Sequence, residues 1–183
     1  MVCSVKGFAA RRRSGTALGT SLAVAAALLA TAAPASAGVP AAAPAPVCRG
    51  GQLAAGGAER VGADAFRVTV VNEGPGPCVL RGHPTVALAG HGAPSRATSL
   101  TVTRQGPARP VQLAAGAAAQ TRISFVPVLG EADGYCASGA EPFVAPSMVI
   151  GAAGARLQLA PDDGGNFALC GTTVRATAFR PAP

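Results

Sequence analysis

The 183-residue sequence has no tryptophan, one tyrosine and two methionines, and its aromatic residues amount to only 4%. A chain so poor in large rings has little aromatic packing to draw on, and offers few stacking platforms for sugars or nucleobases. Histidine occurs only at His83 and His91, which leaves few ways to assemble a Ser-His-Asp constellation. The nucleophile-elbow pattern G-x-S-x-G is missing, as are H-E-x-x-H, the P-loop and the G-x-G-x-x-G fingerprint. These absences argue against the common hydrolase, metalloprotease and nucleotide-binding classes. The expectation is a protein that is not an enzyme and needs no cofactor.

Lysine occurs once, at Lys6, and charged residues make up only 13% of the chain. Lys6 and Arg11, Arg12 and Arg13 precede an expected cleavage point after Ala37, whereas all eight acidic residues follow it. Beyond that point eleven arginines face eight carboxylates, so the apparent excess of +7 shrinks to +3. The arginines are scattered singly, at Arg49, Arg60, Arg67, Arg81, Arg96 and onward, with no basic stripe interleaved with aromatics. Capture of a phosphate backbone wants such a stripe, so no nucleic-acid partner is expected.

What is present at the N-terminus reads as an address. The cations from Lys6 to Arg13 form a positive n-region, and ALGTSLAVAAALLA from Ala17 to Ala30 is an uncharged apolar run. Ala35-Ser36-Ala37 then supplies small residues for cleavage before Gly38. Residues 1–37 are therefore expected to be a signal peptide. The apolar run is shorter than the roughly 20 residues that a spanning helix requires, so an uncleaved anchor is the weaker alternative. Proline in Ala45-Pro46-Val47 before Cys48 spoils a lipoprotein pattern, and the arginine triplet lacks the apolar residue that a twin-arginine signal wants. General secretion is favoured, to the extracellular space or the cell wall. The Ala/Pro-rich residues 38–47 read as a disordered spacer, and residues 48–183 as the folded domain.

Alanine supplies much of the 49% hydrophobic content, and it buries little area, so the interior gains from covalent help. Cys3 leaves with the signal peptide, and Cys48, Cys78, Cys136 and Cys170 remain. An even number in an oxidising compartment predicts two disulfides. Three pairings exist, of which the sequential one, Cys48–Cys78 and Cys136–Cys170, closes two loops of similar size. No C-x-x-C pair suggests a zinc or redox site instead.

Along the domain, apolar and polar residues alternate with period two. Phe66, Val68 and Val70 alternate with Arg67 and Thr69; Ile123 and Phe125 with Arg122 and Ser124; Leu157 and Leu159 with Arg156 and Gln158. Clusters of Gly, Pro, Asp and Asn break these runs every eight to a dozen or so residues. The pattern predicts an all-β, antiparallel β-sandwich. Its architecture is immunoglobulin-like, yet it is not a true immunoglobulin domain, because there is no tryptophan and Tyr135 directly precedes Cys136.

Asn72-Glu73-Gly74, followed by Pro77-Cys78-Val79-Leu80-Arg81-Gly82-His83-Pro84-Thr85-Val86-Ala87-Leu88, resembles the core of a known family. It is the actinobacterial secreted domain-of-unknown-function family numbered 4232. Val111-Gln112-Leu113-Ala114-Ala115-Gly116 resembles a later step of that family, with Ala115 where proline is usual. The resemblance covers the chain from about Cys48 onward and implies a secreted or wall-associated sandwich with two disulfides. It implies no catalytic residues.

Two constellations remain as alternatives. His83 with a nearby carboxylate such as Asp64 or Glu73 would be the acid–base pair of a small secreted hydrolase. Against this, the resemblance puts Tyr or His at that position, which suits a half-buried ring with a polar tip. The loop Asp162-Asp163-Gly164-Gly165-Asn166, with Glu131 and Asp133, would offer hard oxygens to calcium, although the same residues form ordinary turns. No metal site is favoured. Tyr135 is the one aromatic candidate for a sugar platform. The leading expectation is a non-catalytic module, structural or binding an extracellular or cell-wall partner, with no membrane span after cleavage.

Overall fold

In the computed structural model, residues 43–130 and 134–183 are described. The expected signal peptide, the start of the expected spacer, and Glu131 and Asp133 lie outside the described residues. The strands in chain order are β1 (Leu53–Arg60), β2 (Ala65–Asn72), β3 (Cys78–Leu80), β4 (Thr85–Ala89) and β5 (Thr98–Ser99). They continue with β6 (Thr101–Gln105), β7 (Val111–Leu113), β8 (Ala118–Ser124), β9 (Pro142–Ala145) and β10 (Ser147–Ala152). The last are β11 (Ala155–Leu159), β12 (Phe167–Cys170), β13 (Thr173–Thr177) and β14 (Arg180–Pro181). The only helical elements among the described residues are two 3-10 turns, Gly50–Gln52 and Pro94–Arg96.

The fold is the expected all-β sandwich. One sheet runs β1-β2-β8-β13-β6, with β14 added to β8, and the other runs β11-β10-β4-β5. Two ribbons, β12-β9 and β3-β7, complete it. Period-two alternation places Phe66, Val68 and Val70 inward on β2, where Phe66 faces Ile123 of β8 across the ladder. The opposite sheet contributes Met148 and Ile150, paired with Leu88 and Val86. All of these side chains belong to one buried cluster.

Three of the few aromatic rings meet in the core. Phe66 lies 5.7 Å from Phe125 and 4.6 Å from Phe167, between ring centroids. Alanines Ala58, Ala65, Ala119 and Ala176 are fully buried.

One pair departs from the antiparallel rule: β6 and β13 run parallel, from Thr101 beside Thr173 to Gln105 beside Thr177. β6 is an edge strand whose Thr, Arg and Gln side chains are mostly exposed, which protects the edge from further pairing. Pairing also begins before Cys48. Val47 bridges Val79, and Pro46 accepts the Val79 N–H at 2.8 Å, so the end of the expected spacer is ordered by β3.

The disulfides are Cys48–Cys78 and Cys136–Cys170, the sequential pairing. The first ties the chain entering the domain to the start of β3. The second ties the stretch before β9 to the end of β12.

Candidate functional site

The four cysteines are committed to these crosslinks, so their chemistry is structural. The remaining candidates are also largely occupied. The imidazole Nε2 of His83 lies 3.2 Å from the carbonyl oxygen of Gln105. A carbonyl only accepts, so this nitrogen carries the proton. Among the described residues no carboxylate bonds to either ring nitrogen of His83. His91 sits apart in an exposed turn between Gly90 and Gly92.

The acidic loop is bound to β1. Asp162 Oδ1 accepts the Ala58 N–H at 3.0 Å, beside the irregularity in β1 between Ala55 and Gly57. Asp163 accepts the Arg60 Nε–H at 2.6 Å and the Gly165 N–H at 3.0 Å. The hydrogen bond from Arg60 and then that from Gly165 hold the Asp163 carboxyl below the usual aspartate range. Both carboxylates thus serve the β1 edge. Asp64 and Glu59 likewise pair with Arg122 and Arg67. No group of three or more His, Cys, Asp or Glu among the described residues is placed to hold a metal ion.

The cleft with the richest chemistry is assembled by strand register. Gly151 of β10 stands opposite Thr85 of β4 on one side and Arg156 of β11 on the other. Opposite residues in an antiparallel pair share a face, so Thr85, Gly151 and Arg156 form one row across three strands. The missing side chain at the centre leaves a notch. A Cβ there would run into Thr85 Oγ1, so the hydroxyl leans over the glycine. Arg81 and His83, from the turn before β4, and the Ala152–Ala155 hairpin complete a cleft of about 370 Å³.

The tip of that hairpin is strained. Ala153 has φ 49° and Gly154 has φ 81°, as a two-residue primed turn demands. Ala153 is the one non-glycine residue with positive φ among the described residues. An alanine held there costs about 1–2 kcal/mol.

The groove continues across the outer face of the β4-β10-β11 sheet. A second hollow of about 190 Å³ shares Thr85, Gly151 and Arg156 and reaches Ser99, Leu100 and Val149. Beyond it the segment from Gly90 to Ala97 folds back over the sheet. Arg156 Nη2 donates to the Pro94 carbonyl at 2.7 Å, and Gln158 Nε2 donates to that of Gly90 at 2.7 Å. Ala97 packs there on Ala87, Ala89 and Val149.

In the sequence His83 stands out in this region, whereas Arg81 is one scattered cation and nothing connects it with Arg156, Thr85 or Gly151. These residues are far apart in the chain, and no local pattern marks them. Tyr135, the expected platform, is 62% exposed and pairs with Leu129 through two backbone hydrogen bonds. No other ring accompanies it among the exposed large hydrophobics, which are Val47, Val126, Leu129 and Val144.

No helix of the described residues is long and apolar enough to cross a membrane. Comparison with curated proteins and with solved structures finds no match. The profile of one family matches residues 48–180, and it begins at the first disulfide cysteine and takes in both crosslinks, the Asn72–Leu88 stretch and the Gly151 cleft. The chain belongs to the family described as Domain of unknown function (DUF4232).

Proposed function

We propose that this chain is an exported, non-catalytic module that binds a partner at the cell surface or wall. The observation that carries the reading is the use of His83: its proton-bearing nitrogen is spent on the Gln105 carbonyl, and the cleft beside it is walled by guanidinium groups and backbone. Such a wall suits recognition, whereas proton transfer wants an acid–base pair within hydrogen-bond reach. Two disulfides and an N-terminal stretch with n-region, apolar run and small-residue cleavage pattern support export. A rigid sandwich that carries clefts on its outer face is a suitable scaffold for binding.

The test uses the exported protein and intact cells of the producing organism. Saturable sedimentation of the protein with the cell-surface fraction is expected, together with no turnover of ester, glycan or peptide substrates. Turnover that disappears in His83→Ala, while the fold survives, would replace this reading with the hydrolase alternative.

A further inference from the structure

The geometry points to the notch at Gly151 as a binding site for a phosphate group. The inference rests on the binding-module reading and adds a ligand class to it. Two kinds of donor line the notch: the guanidinium groups of Arg81 and Arg156 and the hydroxyl of Thr85, while the N–H of the neighbouring His83 is held by the Gln105 carbonyl. Among the described residues Arg81 and Thr85 make no side-chain hydrogen bond, and Arg156 uses one nitrogen on the Pro94 carbonyl, which leaves its other N–H groups for a ligand.

No carboxylate lines the cleft. Among the described residues Glu59, Asp64 and Asp163 pair with Arg67, Arg122 and Arg60, and neither Arg81 nor Arg156 forms a salt bridge. Positive charge lining a concave surface raises the local concentration of anions.

The donor arrangement favours phosphate over carboxylate. One guanidinium fork satisfies both oxygens of a carboxylate, whereas a tetrahedral anion presents more oxygens and can meet donors arriving from separate sides. The absence of any aromatic in the lining gives a sugar or nucleobase ring nothing to stack on, so the phosphate itself is what the site recognises. Glycine at the centre makes room for the Thr85 hydroxyl to lean over the backbone, which a Cβ at that position would forbid.

The test is titration of the full exported protein with inorganic phosphate, followed by NMR, with acetate at equal ionic strength as the comparison. A glycerol-phosphate oligomer in a second arm separates a free phosphate ligand from a surface polymer. Phosphate should shift the resonances of His83, Thr85 and 151–156, acetate should not, and Arg81→Gln/Arg156→Gln should weaken binding about tenfold or more. Arg81→Gln alone, at an exposed side chain with no partner to strand, keeps the test valid if loss of the Arg156–Pro94 contact disturbs folding. Equal responses to phosphate and acetate, or unchanged affinity in Arg81→Gln, overturn the site. If the double variant still sediments with cells as wild type does, the phosphate site falls while the binding-module reading stands.

Discussion

Asn72 and Gly74 are locked together. The Asn72 side-chain oxygen accepts the Gly74 N–H at 3.1 Å, while Nδ2 donates to the carbonyls of Gly76, Leu113 and Ala114. Asn72 is fully buried, so one carboxamide fastens the turn before Cys78 to the end of β7. Asn72→Ala leaves these carbonyls without their donor and should cost about 2–4 kcal/mol. Asn72→Asp, which turns a carboxylate toward three carbonyls, should cost more. Urea unfolding measures both, and a loss under about 0.5 kcal/mol for the alanine variant contradicts the bracket.

The two crosslinks close loops with sequence separations of 30 and 34 residues. On loop entropy each should contribute about 3–4 kcal/mol. Cys136→Ala/Cys170→Ala should therefore lower secreted yield more than a surface Arg104→Gln substitution does. Equal yields argue against an interior that depends on crosslinks.

Asp163 predicts a pH dependence. Its carboxyl pKa is depressed in the folded chain by Arg60 and Gly165, so its stabilising effect is complete above the ordinary aspartate value of about 3.9. That effect should fade as pH falls from there through the depressed value. Asp163→Asn should flatten the acid limb of a stability-against-pH curve and leave the curve above pH ~5 unchanged in shape. An unchanged acid limb counts against the pairing.

Gly50 and Gly51 make a matched pair. A Cβ on Gly50 would lie 2.8 Å from the Ala155 nitrogen and 3.0 Å from the Gly154 carbonyl carbon, whereas one on Gly51 meets nothing within 4 Å. Gly50→Ala presses on the hairpin that walls the cleft and should destabilise by about 1–3 kcal/mol. Gly51→Ala should stay within about 0.5 kcal/mol of wild type. Thermal unfolding of the two variants side by side decides it.

Much of the scaffold is legible in the sequence. The inward set Phe66, Val68 and Val70 follows from alternation alone, because successive side chains on a strand point to opposite faces. The parallel pairing of β6 with β13 was not legible, since it joins stretches separated by about half of the domain. Asn72 stood out as part of a family-like stretch, but its role depends on carbonyls some forty residues away, at Leu113 and Ala114.

The sequence by itself determined the strand-rich character, the scarcity of catalytic side chains and the supply of four cysteines for two crosslinks, since these follow from composition and local periodicity. Only the tertiary structure decided which cysteine meets which, and that Arg81, Thr85, Gly151 and Arg156 share one cleft. The reason is physical: register across three strands sets neighbours in space, and it is selected by burial of the opposite sheet face, not by anything near those residues in the chain.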